Sequence, residues 1–123
     1  AGAEILLMSA AEHDRAVAFT SHVPHIIAYG ISAMVCSGKS AGRLKGVAAG
    51  SFRDMTRVAA SNPEDWAFIC AANRKPVAAA LKDLIKRLRK IQKNIGDAQA
   101  LKKTFSLAYK ARLKFLDNHE MDN

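Results

Sequence analysis

The chain has 123 residues, half of them hydrophobic and only three of them proline, which excludes a disordered segment and allows one domain-sized core. The net charge of +8 is concentrated, because residues 77–116 carry eleven Lys or Arg against Asp83 and Asp97. No apolar run reaches membrane-spanning length, and we find no signal-peptide pattern. Apolar residues recur at three- and four-residue spacing almost throughout, so we predict an all-α fold.

The cysteines give a prediction about the compartment. Cys36 and Cys70 are the only two, and they form neither a CxxC pair nor a zinc-ligand spacing with histidine. We therefore expect two reduced thiols in a cytoplasmic protein. A disulfide between them is left open by the sequence.

The first predicted elements are a short strand and a helix. Residues 4–8 (EILLM) are the only strand candidate, and a solitary strand has no partner, so the chain reads as a cut through a longer protein. Ser9 and Glu12 form a capping-box pattern, which predicts a helix from about Ala10.

The most unusual stretch is TSHVPH at residues 20–25. Pro24 has no N–H and disfavours helical dihedral angles at Val23, so we predict that the helix kinks or restarts here. His22, His25 and Tyr29 then share one narrow polar face. A metal site at the two histidines is disfavoured, because Pro24 disturbs their spacing and no third ligand is close in sequence.

Two glycine-containing loops follow. Residues 33–40 (AMVCSGKS) depart from a phosphate-binding P-loop at Ala33 and follow a predicted helix rather than a strand, so we reject that match. Residues 46–51 lead into a predicted helix whose N-cap can be Ser51. On this helix Arg53 and Arg57 lie one turn apart. The helix start and the arginines suit an anion, but two solvated arginines explain the pattern equally well.

The second half of the chain predicts a helix from Asn62-Pro63 and then a hairpin over about 77–116. The helix carries Trp66, the only tryptophan, a residue type that is most often a core anchor. Gly96-Asp97 supplies the hairpin turn. The apolar seam with basic flanks fits an oligomer interface; a nucleic-acid-binding or protein-interaction module is the alternative, disfavoured because exposed aromatics and recognition motifs are few.

Three segments in order resemble one family. They are residues 12–25 (EHDR leading to TSHVPH), residues 49–59 (AGSFRDMTRVA) and residues 61–66 (SNPEDW). Together they resemble the C-terminal helical domain of prephenate dehydrogenases, including arogenate and cyclohexadienyl dehydrogenases, an all-α dimerisation domain similar to that of 6-phosphogluconate dehydrogenase. The resemblance covers the chain closely to about Asn73 and the hairpin in pattern only.

The resemblance implies an enzyme of tyrosine biosynthesis that oxidatively decarboxylates prephenate or arogenate with NAD or NADP. Residues 1–8 would then end a nucleotide-binding Rossmann domain that also holds the catalytic histidine and the cofactor. Residues 9–123 would form the helical dimerisation and substrate-binding domain, inactive alone, in a homodimer without nucleic-acid or membrane partners. No catalytic, cofactor or metal ligand is expected in this chain.

The same resemblance assigns substrate-binding residues one by one. His25 matches a substrate-binding histidine, Arg57 the arginine that holds a substrate carboxylate, and Gly50 a glycine of the pocket loop. Trp66 matches a tryptophan near the pocket, and His22 a histidine of the same motif. Ser51 departs from the glycine that many relatives have.

Overall fold

The computed structural model describes residues 5–121, with the side chains of residues 5–117. This range contains α-helices, one π-helical segment and one 3-10 segment, and no strand, which confirms the predicted all-α fold. In chain order the elements are α1 (Ala10–Val17), the π segment (Ala18–His22), α2 (Val23–Cys36), α3 (Ala41–Lys45), α4 (Gly50–Thr56), the 3-10 segment (Arg57–Ala60), α5 (Pro63–Ala72), α6 (Arg74–Lys93) and α7 (Ala98–Met121).

The prediction of an N-terminal strand is wrong for residues 5–8, the part of it that the structure describes. Residues 5–8 have no regular secondary structure and have exposed side chains, while Glu4 lies outside the described residues. A strand needs a neighbouring strand for its backbone hydrogen bonds, and residues 5–121 provide none. The helix start that follows is confirmed: the Glu12 N–H donates to the Ser9 hydroxyl over 3.2 Å, and the Ser9 N–H donates to the Glu12 carboxylate over 3.0 Å.

The regular α-helix is interrupted before Pro24, and a new α-helix starts at Val23 with Pro24 in its first turn, as the predicted restart requires. Val23 has helical dihedral angles of φ −62° and ψ −44°, so the expectation that it would leave the helical region is wrong. The chain instead widens into a π turn over Ala18–His22, and the Val23 N–H donates to the Ala18 carbonyl, five residues back. A wider turn accommodates proline, because the ring no longer meets the carbonyl that it would clash with in an α turn.

The chain divides into two compact units, residues up to 82 and residues from 83 onward. In the first unit α2 is the central element, because it contacts the π segment, α3, α4 and the 3-10 segment. Its core is built from small side chains around one buried histidine: Ala18, His22, Val23, Ala28, Val77 and Ala80. Small side chains let the helices approach closely, and His22 is the one polar side chain among these buried residues.

The second unit contains most of α6 and all of α7, the two helices of the predicted hairpin. The helices are longer than predicted, because α6 starts at Arg74 and α7 continues to Met121. Asp97 caps α7, accepting from the N–H groups of Gln99 at 3.1 Å and Ala100 at 3.0 Å. Both helices line one groove of about 500 Å³, formed by Leu84, Arg87, Leu88, Lys90, Ile91, Thr104, Leu107, Ala108 and Ala111.

None of the described helices combines the length and the hydropathy needed to cross a lipid bilayer.

Candidate functional site

Two histidines and the tryptophan form one aromatic cluster in the first unit. His25, on α2, stacks on Trp66, on α5, with ring centroids 3.4 Å apart and an angle of 10° between the planes. His22, at the end of the π segment, meets the same indole edge-on, with centroids 6.1 Å apart and an angle of 75°. Trp66 is half-buried, so it is not the enclosed core anchor that its residue type suggests. The cluster brings together three of the five predicted site residues.

The backbone determines the tautomer of His25. Its Nδ1 lies 2.8 Å from the Ser21 carbonyl oxygen. A carbonyl oxygen only accepts hydrogen bonds, so Nδ1 carries the proton. The neutral ring therefore offers Nε2 as an acceptor, and the protonated ring offers it as a donor.

His22 is buried, with 9% of its surface exposed, and it has a partner that sequence reasoning missed. The side-chain nitrogen of Asn73 lies 3.3 Å from Nδ1 of His22 and 2.8 Å from the Asp14 carbonyl oxygen. Asn73 forms the junction between α5 and α6, 51 residues away from His22 in sequence. The only signal in the sequence was an asparagine three residues before Pro76, which is typical of a helix end.

Tyr29 connects the histidine helix to the tryptophan helix. Its hydroxyl donates to the Ser61 carbonyl over 2.9 Å, and Ser61 lies just before α5. Tyr29 shares a helix face with His22 and His25 by sequence spacing, but its partner was not predicted. The bond holds α5, and with it Trp66, against α2.

Arg57 and Gly50 lie on elements that contact α2. Arg57 is the first residue of the 3-10 segment; it is exposed and makes no hydrogen bond or ion pair with other described residues. Gly50 is the first residue of α4, and a Cβ there would meet no atom within 4 Å. The predicted cap at Ser51 is wrong, because Ala49 occupies the N-cap and Ser51 lies inside α4. No described hydrogen bond joins Arg57 or Gly50 to the aromatic cluster.

Both imidazoles of the cluster have a defined hydrogen-bonding arrangement. The two imidazoles are held by stacking and by hydrogen bonds to their Nδ1 atoms, which leaves each Nε2 for a ligand. Among the side chains of residues 5–117, no three His, Cys, Asp or Glu are placed to hold a metal ion. A rigid pair of imidazoles next to a segment that begins with an exposed arginine suits a polar, anionic small molecule.

Comparisons with known proteins agree with the resemblance. Residues 9–107 match the family model described as prephenate dehydrogenase, dimerization domain. A cyclohexadienyl dehydrogenase of Zymomonas mobilis is 40% identical over 98% of this chain, which spans 42% of that relative. A prephenate dehydrogenase of Bacillus subtilis is 33% identical over 86% of this chain, which spans 29% of it.

Two solved structures share the fold. The crystal structure of Synechocystis arogenate dehydrogenase aligns with a TM-score of 0.82 and 26% identity, over 91% of this chain and 42% of that one. A. aeolicus prephenate dehydrogenase in complex with hydroxyphenyl propionate and NAD+ aligns with a TM-score of 0.74 and 25% identity, over 89% of this chain and 38% of that one. The chain therefore corresponds to less than half of each of these proteins.

Proposed function

Because the chain belongs to the prephenate dehydrogenase family through its dimerization domain, we propose that it is the dimerisation and substrate-binding part of a prephenate or arogenate dehydrogenase. The complete enzyme would oxidatively decarboxylate its substrate with a nicotinamide cofactor, and this chain would be inactive alone. The observation that supports this proposal best is the aromatic cluster, in which His25 and His22 are held against Trp66. His25 lies on α2, the helix that contacts the Arg57 segment.

Charge and geometry support the substrate-binding roles that the family resemblance implies. An arginine guanidinium can hold a carboxylate through two parallel hydrogen bonds, and the exposed Arg57 has no competing partner among the described residues. We assign Arg57 to the side-chain carboxylate of the substrate. The carboxylate that leaves as carbon dioxide should be kept away from cations, since a bound cation would stabilise it in the ground state. His25 and His22 would contact the remaining polar groups, and Gly50 would belong to the pocket loop.

The nicotinamide cofactor does not fit the described residues. Dinucleotide sites use a glycine-rich turn between a strand and a helix, and residues 5–121 contain no strand. We therefore assign NAD or NADP binding, and the catalytic group that acts on the substrate hydroxyl, to a domain outside this chain. Both cysteines are free, which supports a cytoplasmic enzyme.

We further propose that the α6–α7 hairpin forms a homodimer interface. Its groove combines exposed apolar side chains with lysine and arginine at its edges. Long basic side chains can lay their stems along apolar surface while their charges stay in water, so a basic rim is compatible with an apolar interface. The family name of the domain supports the same use.

The experiment that tests the substrate assignment is Arg57→Ala in an enzyme that combines this chain with a dinucleotide-binding domain. Removing a charge-assisted bidentate contact costs roughly 1.5–3 kcal/mol, so the KM for prephenate or arogenate should rise about ten- to a hundredfold. The KM for the cofactor should stay the same, because the cofactor is bound elsewhere. Steady-state kinetics with each substrate varied in turn measures both.

The matched control is Arg43→Ala, since Arg43 is also exposed but lies on α3. This variant should keep the substrate KM of the unaltered enzyme. An unchanged substrate KM in Arg57→Ala would show that Arg57 does not hold the substrate.

A further inference from the structure

Asn73 lies at the junction between α5 and α6 and brings one amide group to two acceptors. Its nitrogen is 2.8 Å from the Asp14 carbonyl oxygen and 3.3 Å from Nδ1 of His22. The carbonyl oxygen can only accept, so the atom facing it is the NH2 group and not the amide oxygen. One of its hydrogens serves the Asp14 carbonyl, and the other is directed to the His22 ring.

This arrangement allows one neutral form of His22. A donor that faces Nδ1 requires a lone pair there, so the ring proton must be on Nε2. We propose that Asn73 is a positioning residue that holds His22 as an Nε2–H hydrogen-bond donor. The bond to Asp14 supports this role, because it ties the amide to α1 and prevents it from rotating to present its oxygen.

The surroundings of His22 favour the hydrogen bond from Asn73 to Nδ1 over a bond to water. The ring is buried and lies edge-on to Trp66, so Nδ1 has little access to water as an alternative partner. Nε2 makes no hydrogen bond with a described residue. By contrast, every completely buried side-chain nitrogen or oxygen among the described residues has a hydrogen-bond partner. The donor nitrogen is therefore not completely buried, and no described residue competes with a ligand for it.

The two histidines of the cluster carry their ring protons on different nitrogens. His25 carries its proton on Nδ1, because it donates to the Ser21 carbonyl, and so presents an accepting Nε2. His22 carries its proton on Nε2 and presents a donor. In the neutral state the pair offers one donor and one acceptor, which suits a ligand oxygen that accepts from His22 beside a hydroxyl that donates to His25.

The identity of that ligand rests on the proposed function, whereas the tautomers do not. Long-range proton–nitrogen NMR spectra distinguish protonated from unprotonated imidazole nitrogens directly. On the 123-residue chain at mildly alkaline pH, we expect His22 to show an unprotonated Nδ1 and a protonated Nε2. His25 should show the reverse pattern in the same spectrum. An Nδ1-protonated His22 would overturn the inference and leave the role of Arg57 untouched.

Two substitutions of Asn73 test whether this residue controls the tautomer of His22. Asn73→Ala removes the donor, so the Nδ1 and Nε2 signals of His22 should move towards the averaged values of mixed tautomers. Asn73→Asp places an acceptor of nearly the same shape beside the ring, so His22 should become protonated at Nδ1. The His25 pattern should persist in both variants.

The control is Asn94→Ala, which removes a side-chain amide that also donates to a backbone carbonyl, that of Lys90 at 3.1 Å. Asn94 belongs to the second unit, whereas the cluster belongs to the first. This variant should leave the His22 signals unchanged. If Asn73→Ala does not fold, the spectra of the unaltered chain and of Asn73→Asp decide the matter. An unchanged His22 tautomer in Asn73→Asp would show that Asn73 does not control it.

Discussion

The two histidines are three residues apart, yet their surroundings give them different chemistry. His22 accepts a hydrogen bond at Nδ1 from a side chain 51 residues away, whereas His25 donates from Nδ1 to a carbonyl four residues away. The local contact follows directly from helix geometry, and the distant one from packing. Residues that look equivalent in a motif can therefore present opposite hydrogen-bonding atoms to a ligand.

The cysteines provide a prediction at the residue scale. Burial raises the pKa of the Cys70 thiol, while Cys36 is exposed. The thiolate is the reactive form, so a raised pKa leaves less of it at mildly alkaline pH. Iodoacetamide should therefore modify Cys36 first, and the Cys70 rate should climb as the pH rises towards its pKa.

Peptide mass spectrometry over a time course at several pH values measures both rates. In urea the two rates should converge, because unfolding removes the burial. Faster modification of Cys70 than of Cys36 in the folded chain would contradict the assigned burial effect.

At the scale of elements, the π segment and α2 organise the site. The π segment ends at His22 and α2 begins at Val23, so His22 and His25 lie on two consecutive helical segments. The indole that they contact comes from α5, whose position against α2 depends on tertiary contacts. The Tyr29 hydroxyl makes one of these contacts, donating to the Ser61 carbonyl.

Tyr29→Phe should therefore destabilise the chain by about 1 kcal/mol, the usual net value of one such hydrogen bond. It should also weaken the contact between His25 and Trp66, because the segment before α5 loses its attachment to α2. Urea unfolding measures the stability change, and Trp66 fluorescence reports on the surroundings of the indole.

Tyr109→Phe is the matched control. Tyr109 is 66% exposed on α7, and its hydroxyl has no partner among the described residues. The free energy of unfolding and the Trp66 emission should both be unchanged in this variant. Equal stability losses in the two variants would show that the Tyr29 bond has no special role.

At the scale of the whole molecule, the described side chains leave much apolar surface uncovered. The buried core consists of small residues, while α7 exposes Phe105, Leu107 and Phe115 by 52%, 64% and 72%. Large apolar surfaces of this kind usually mark interfaces. Exposed apolar side chains of this kind are typical of a domain that buries them against a partner subunit.

The proposed dimer can be tested with Leu107→Asp. Leu107 lines the α6–α7 groove, and an unpaired carboxylate buried in an interface costs more than about 1.4 kcal/mol, enough to weaken dimerisation tenfold or more. Light scattering during size-exclusion chromatography should show a dimer for the unaltered chain at micromolar concentration and a monomer for the variant.

Leu6→Asp provides the comparison, since Leu6 is 76% exposed and lies outside the hairpin. It should remain a dimer. A monomeric unaltered chain would contradict the interface, and circular dichroism of Leu107→Asp would establish that the variant is still folded.

The features that can be predicted directly from the sequence are local. The capping box at Ser9 and Glu12, the helix start at Asn62-Pro63 and the turn at Asp97 act within one helical turn, so their residues specify them directly. The motif residues His22, His25 and Trp66 were named in advance, and the structure places them together. Their roles in substrate binding, like those of Gly50 and Arg57, stay predictions.

How those residues meet depends on the packing of separate helices. The restart before Pro24 takes the form of a π turn, residues 5–8 form no strand, and Trp66 is half-buried against two imidazoles. The contacts of Asn73 with His22 and of Tyr29 with Ser61 join residues 51 and 32 positions apart. Spacing rules describe one helix at a time, whereas these contacts, and the His22 tautomer that we infer from the first of them, arise only when separate helices pack.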